Sequence, residues 1–221
     1  MHDPHDHAHD QGHDHGHDHG HSHGHAPPPD DPSFRSEQAL AARALRLLLE
    51  EAGVLAPGEV ARQIDRMDAI TPALGAAVVA RAWTDPGFKA RLMATPAAAC
   101  AEMGIDLQGT VLHVVENTAS VHNMIVCTLC SCYPKTLLGI PPDWYKSFAY
   151  RSRAVSEPRS VLAEFGVTLP DGVEVRVHDS TADLRYLVLP ARPAGTEGWS
   201  EERLAALVTR DSMIGTAVPA A

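Results

Sequence analysis

Three of the four cysteines in this chain fall within six consecutive positions, in the run Val126-Cys127-Thr128-Leu129-Cys130-Ser131-Cys132-Tyr133. The spacing is C-x-x-C-x-C. A turn through Thr128 and Leu129 lets the sulfurs of Cys127 and Cys130 face one ion. Only Ser131 separates Cys130 from Cys132, so an ion held by both sulfurs also lies against the peptide nitrogens of Ser131 and Cys132. Such a claw offers thiolates and, once deprotonated, two backbone amides. Soft sulfur with strong-field nitrogen selects a transition metal over magnesium or calcium. A small trivalent ion, cobalt or iron, best favours loss of two amide protons. A remaining position on the ion would be open to water or substrate.

The competing reading of the cluster is structural zinc, which wants four closed ligands and usually draws them from two separated pairs. Here the fourth would have to be Cys100 or His122, at no standard spacing. An iron–sulfur cluster wants four cysteines and fits less well. Cysteines clustered this way read as metal ligands in a reducing compartment rather than as a disulfide framework, which predicts a cytoplasmic protein.

The formal net charge of −10 argues against nucleic acid as a partner, because phosphate binding needs a basic surface. No apolar run approaches the roughly 20 residues that span a bilayer, and the N-terminus has neither the basic nor the apolar region of a signal peptide. Aromatic residues make up only 5% of the chain, so aliphatic side chains and alanine must fill the core.

Along the chain, residues 1–25 hold eleven of the 14 histidines, interleaved with Asp and Gly. A segment this poor in apolar residues cannot offset its ordering entropy and is expected to be a disordered, metal-binding tail, with His13, His15, His17, His19, His21, His23 and His25 as its densest run. Residues 26–35 read as a Pro-rich linker. From Ser33 to Gly53 the apolar spacing is helical, with Leu40, Ala44 and Leu48 on one stripe, Ser36 as cap and Gly53 as stop. Further helices fit Gly58 to Ala69 and Thr71 to Trp83, with shorter pieces to Met103.

Strands follow at Val111–Val115 and Val121–Val126, and the claw leaves the second of these directly. Ile140-Pro141-Pro142-Asp143 is a turn leading to short helices. Ser156 is expected to cap a helix through Phe165, ended by Gly166. Val173–Val177 and Leu184–Leu189 read as strands that form a hairpin or adjacent pair, and Ser200 opens a final helix. The fold class is α+β, a helical N-terminal section followed by a mixed core around the claw, with residues 36–221 as the folded domain.

The run Cys127-Thr128-Leu129-Cys130-Ser131-Cys132-Tyr133-Pro134 resembles the metal-binding motif of nitrile hydratase α subunits, and related motifs occur in the γ subunit of thiocyanate hydrolase. The likeness extends to Val114-Val115-Glu116-Asn117-Thr118, Pro141-Pro142-Asp143-Trp144-Tyr145-Lys146, Glu157-Pro158-Arg159, Arg185-Tyr186-Leu187-Val188-Leu189-Pro190 and Arg210-Asp211-Ser212-Met213-Ile214-Gly215. It spans roughly Ser36 to the C-terminus.

The resemblance implies a layered α/β/β/α core. It implies low-spin Co(III), with Fe(III) as the alternative, and Thr128 marks the cobalt type because iron-type relatives tend to carry Ser there. It also implies that Cys127 stays a thiolate, that Cys130 becomes a sulfinate and Cys132 a sulfenate, and that the amides of Ser131 and Cys132 complete the plane. Cys130, Ser131 and Cys132 would then surround the reacting group. The reaction implied is hydration of a nitrile to an amide by a hydro-lyase that is active only with an obligate β subunit, as αβ or α2β2.

Asp179, Asp183 and Arg185 fall where the family places charges behind the claw, and surface charge flanking a strand is the plainer reading. Lys135 stands where relatives carry a pocket-lining Trp, which favours an anionic or polar substrate. Hence the alternative of a γ-type subunit, turning thiocyanate into carbonyl sulfide and ammonia.

Glu116 and Asn117 are expected to be structural hydrogen-bonders. His113, His122 and His178 are expected to be locally satisfied, and Cys100 to be a small buried hydrophobe. The tail could serve as a cobalt reservoir or stand in for a metallochaperone. A non-enzyme alternative, cobalt storage and delivery, predicts labile divalent metal and no hydration.

Overall fold

A computed structural model describes residues 37–130 and 132–221. The His-rich tail, the linker, the Ser36 cap and Ser131 therefore lie outside the described residues. The chain divides into two compact units, Met1–Pro57 and Gly58–Ala221. The described part of the first unit, residues 37–57, holds α1 (Glu37–Glu51), which buries none of its residues. Leu40, Leu45, Leu47 and Leu48 all stand exposed along it. Gly53 follows with φ +69°, the left-handed turn that ends the helix.

The second unit opens with α2 (Glu59–Asp68) and α3 (Pro72–Thr84), whose Pro72 occupies the first turn, where its missing N–H costs nothing. Asp85 accepts the Phe88 N–H and starts α4 (Pro86–Ala94), and α5 (Pro96–Glu102) follows. Two six-residue strands come next, β1 (Val111–Glu116) and β2 (Val121–Val126). The claw loop leads into α6 (Lys135–Leu138), α7 (Asp143–Lys146), α8 (Phe148–Ser156) and α9 (Pro158–Glu164). The chain then runs through β3 (Glu174–Asp179), β4 (Leu184–Leu189), α10 (Glu201–Ala205) and α11 (Arg210–Ile214).

The strands form two separate two-stranded parallel sheets. β1 pairs with β4, Val111 opposite Leu184; β2 pairs with β3, Val121 opposite Glu174. The expected β3–β4 hairpin does not form. Residues 180–183 instead carry the chain from one sheet to the other, as residues 117–120 do between β1 and β2. Each corner unit pairs with the other rather than with itself. Alternation identifies a strand but not its partner, so the sequence could not separate the two arrangements.

Helices α4 and α5 pack on β1, α11 on β4, and α8 and α9 on β2 and β3, while β2 faces β4 across the middle. Within the second unit this gives the layers α/β/β/α. β2 lies between α8 and β4, which is why His122 to Val126 are buried without alternation, whereas β1 and β3 keep exposed positions. Two smaller expectations also change. Ser156 ends α8 instead of capping the next helix, and α11 follows the helix that Ser200 opens.

A hydrogen-bonded polar seam ties the corners together. Asn117 Oδ1 accepts from the Asn123 N–H (2.7 Å) and from Asn123 Nδ2 (3.0 Å), and Asn123 Nδ2 also reaches the Glu116 carbonyl at 2.8 Å. His178 Nε2 meets Asn123 Oδ1 at 2.8 Å, and His122 Nε2 meets the Gly215 carbonyl at 2.7 Å. A carbonyl can only accept, so His122 carries its proton on Nε2 and leaves Nδ1 for Asn117 Nδ2 at 3.4 Å. Asn117 thus serves as a structural hydrogen-bonder, and His122 and His178 are locally satisfied, as the sequence suggested. Cys100 is fully buried among the apolar core residues.

Candidate metal centre

Strand β2 buries Met124, Ile125 and Val126 completely and releases the chain at Cys127, which is 1% exposed. Cys132 is also buried, whereas Cys130 is exposed and Leu129 stands out at the tip of the loop. The sulfur of Cys130 lies 3.4 Å from that of Cys127 and 3.2 Å from that of Cys132. None of the four cysteines forms a disulfide, and these separations far exceed a disulfide bond of about 2 Å. The three ligand atoms lie within 4.8 Å of one another, and they are the one such cluster found among the described residues. Cys100 and His122 do not join them, so the fourth protein ligand that closed zinc would need is missing from the described residues.

The loop is held at both ends by the rest of the fold. At its start Asp179, the last residue of β3, accepts the Thr128 N–H at 2.9 Å and the Thr128 hydroxyl at 2.6 Å. The Ser180 N–H donates to the Val126 carbonyl at 2.7 Å and fixes the point where the chain leaves β2. From α8, Arg151 Nη1 donates to the Thr128 carbonyl at 3.3 Å. At the end of the loop the Tyr145 hydroxyl donates to the Cys132 carbonyl at 2.8 Å. Within the loop the Cys130 N–H points at Cys127 Sγ, 3.3 Å away. Burial drives the Cys132 thiol up to about 12, the neighbouring Cys130 and Cys127 thiols add to the rise, and the Arg185 charge opposes it. A ligand ion must therefore displace that proton, which couples metal uptake to proton release.

The charged residues behind the claw behave differently from one another. Asp179 makes the double contact just described. Arg185 turns its guanidinium to the Thr181 and Leu184 carbonyls and is close enough for its charge to act on Cys132. Asp183 is exposed beside Arg185 in a small cleft of about 300 Å³ and donates only its N–H, to Thr181 Oγ1 at 3.4 Å.

Lys135 opens α6 three residues after the claw. It lines a cleft of about 550 Å³ with Arg66, Gln63, Met67, Ile140 and Pro141. No cysteine lines that cleft and no carboxylate does either. Tyr145, Arg151 and Ser180 were not singled out from sequence. Ile140-Pro141-Pro142-Asp143 reads as a turn leading to short helices, but nothing local says that the Tyr145 phenol reaches back 13 residues.

Comparison with known proteins bears on the same stretch of chain. The family model for the nitrile hydratase alpha chain matches residues 36–217. The α subunit of a low-molecular-weight cobalt-containing nitrile hydratase from Rhodococcus rhodochrous is 54% identical over 193 residues, covering 84% of this chain and 91% of that protein. The γ subunit of thiocyanate hydrolase from Thiobacillus thioparus is 41% identical over 188 residues, covering 80% of this chain and 77% of that protein. Among solved structures, a double variant of the iron-type nitrile hydratase from Comamonas testosteroni superposes with a TM-score of 0.76 at 43% identity, covering 84% of this chain and 93% of that one.

Proposed function

The chain belongs to the nitrile hydratase α-chain family, and on that premise we propose that it is the cobalt-bearing α subunit of an enzyme that hydrates nitriles to amides. The observation that carries this is the convergence of the Cys127, Cys130 and Cys132 sulfurs within 4.8 Å in a loop anchored at both ends. Three soft sulfurs in a buried-to-exposed gradient suit a transition ion. Cys127, Cys130 and Cys132, with the backbone amides of Ser131 and Cys132, would hold the ion. When bound, it supplies Lewis acidity toward a nitrile or a water.

The burial of each sulfur supports the assigned oxidation pattern. Cys127 is sealed beneath the loop and suits an unmodified thiolate. Cys130 is exposed and suits the further-oxidised sulfinate, with Cys132 between them as sulfenate. Asp179, Arg151 and Tyr145 orient the loop. Arg185 contributes positive charge toward Cys132, and the remaining cations for the oxidised sulfurs would come from a β subunit closing over the exposed face, as αβ or α2β2.

The cobalt-containing relatives at 50–54% identity support cobalt over iron. Four cysteines without a disulfide suit a reducing, cytoplasmic setting. Among the described residues no helix is long and apolar enough to cross a membrane. The His-rich tail (residues 1–25) would gather divalent cobalt for the claw, in place of or alongside a metallochaperone. Residues 36–221 form the catalytic part.

Thiocyanate hydrolysis is the second reading. It is favoured by the 41% identity to the thiocyanate hydrolase γ subunit; the cleft that Lys135 lines holds no claw residue and does not bear on the choice. Co-expression with the adjacent subunit gene tests both readings, with metal analysis, intact mass of the claw peptide, and assays on acrylonitrile, benzonitrile and thiocyanate. Inert cobalt, three added oxygens and amide product support the first. Exchangeable zinc with unmodified thiols would sink it.

A further inference from the structure

We infer that Tyr145 is a positioning residue for the third claw cysteine, and this inference rests on the metal-centre reading given above. Tyr145 is completely buried, and its hydroxyl donates to the Cys132 carbonyl at 2.8 Å. Its ring packs edge-on against Tyr133, the residue that follows the claw, with centroids 5.2 Å apart. Trp144 and Tyr150 wall the other sides at 6.0 and 5.7 Å, so the phenol has no freedom to follow a moving loop.

The geometry divides the work. Asp179 fixes the residue after the first cysteine, and Tyr145 fixes the carbonyl of the last. A fixed carbonyl sets the peptide plane that leaves Cys132, and with it the direction in which the Cys132 Cβ carries its sulfur. Short loops hold a metal well only when such outer contacts lock the ligands, and losing one of them typically costs 10- to 100-fold in metal affinity or activity. Removing the phenol oxygen also leaves a buried carbonyl without its donor, which lets the last peptide of the claw rotate.

Tyr150 supplies an internal control. It is a second buried tyrosine of the same segment, and its hydroxyl donates to the Ile125 carbonyl at 2.6 Å, inside strand β2 and ahead of the claw. Both phenols lose a comparable hydrogen bond on mutation to Phe. Only one of those bonds ends on a claw residue.

The experiment compares Tyr145→Phe and Tyr150→Phe in the full chain co-expressed with its partner subunit. It reads thermal midpoint, cobalt per complex, mass of the claw peptide, the sulfur-to-metal absorption band, and kcat and KM separately. The expected result is a similar loss of thermal stability in both variants. Tyr145→Phe alone should shift the absorption band, leave Cys132 incompletely oxidised and lower kcat at least tenfold with KM little changed. A Tyr145→Phe complex with wild-type band, claw mass and kcat overturns the inference, and so does a Tyr150→Phe complex with the same losses. If Tyr145→Phe fails to fold, 3,5-difluorotyrosine placed at 145 keeps the ring and changes the donor, and an unmoved band overturns the inference instead. A wild-type complex holding only exchangeable zinc overturns the functional reading first and this inference with it.

Discussion

The carboxylate of Asp179 holds Thr128 twice, through the backbone N–H at 2.9 Å and the hydroxyl at 2.6 Å. The two residues are 51 positions apart in sequence, and parallel pairing of β2 with β3 brings them together because Val126 lies opposite Asp179. Bonds to a carboxylate are stronger than neutral ones, and solvent screening at the exposed Asp179 leaves their main effect as positioning. Asp179→Ala should therefore loosen the start of the claw, lower cobalt content and reduce kcat by roughly tenfold. Thr128→Ser keeps both contacts and should retain most activity, while Thr128→Val keeps only the N–H contact and should fall between. Equal cobalt content in Asp179→Ala and wild type would remove this role.

Each claw sulfur should be indispensable. Cys127→Ser, Cys130→Ser and Cys132→Ser each replace a soft donor with a hard one in a three-sulfur set, so inert cobalt binding should be lost. The measurement is metal content after prolonged chelation. Hydration activity should fall to background in all three. Cys100→Ala lies outside the cluster and should leave metal content unchanged, at a modest cost in stability.

Acid should destabilise the fold through the polar seam. Burial lowers the pKa of both His122 and His178, with the Arg176 charge adding to the effect on His178. Both are neutral in the native state at neutral pH. Below the ordinary value of 6.5 the unfolded chain binds protons that the native chain refuses, so stability falls as pH drops through that region. The thermal midpoint should decline between pH 7.5 and 5.5, and less steeply in His178→Asn. A flat midpoint across that window would contradict this reading of the seam.

Gly215 permits a backbone contact that no other residue would. It has φ +93°, and a Cβ built there would lie 2.0 Å from the Asn123 carbonyl oxygen. Gly215→Ala must push α11 away from β2 and weaken the His122 bond to the Gly215 carbonyl. Left-handed strain and the overlap together should cost about 3 kcal/mol, measured by denaturant unfolding. A change below about 1 kcal/mol would show that the two backbones separate easily.

The histidine tail makes a prediction independent of the fold. Removing residues 2–25 should leave hydration activity unchanged in cells grown with ample cobalt. Under limiting cobalt it should lower claw occupancy, read by metal analysis of the purified complex. Equal occupancy under both conditions would leave the tail with no part in loading.

Much of this molecule was written locally. Spacing alone marked Cys127, Cys130 and Cys132 as ligands of one ion, since the backbone between them is too short to send their sulfurs elsewhere. Apolar periodicity located the strands and most helices, and turn glycines and capping residues bounded several of them. The partners were not local. Parallel sheets join residues far apart in sequence, so no pattern within β3 or β4 could show that they belong to different sheets. For the same reason the sequence offered Asp179 only as one charge among three, and offered Tyr145 only as one member of a family-like run, with no role. A hydrogen bond from a buried phenol to a backbone carbonyl leaves no trace in residue type, because every residue has that carbonyl. Local chemistry chose the ligands, and the packing of helices and paired strands chose which groups hold them still.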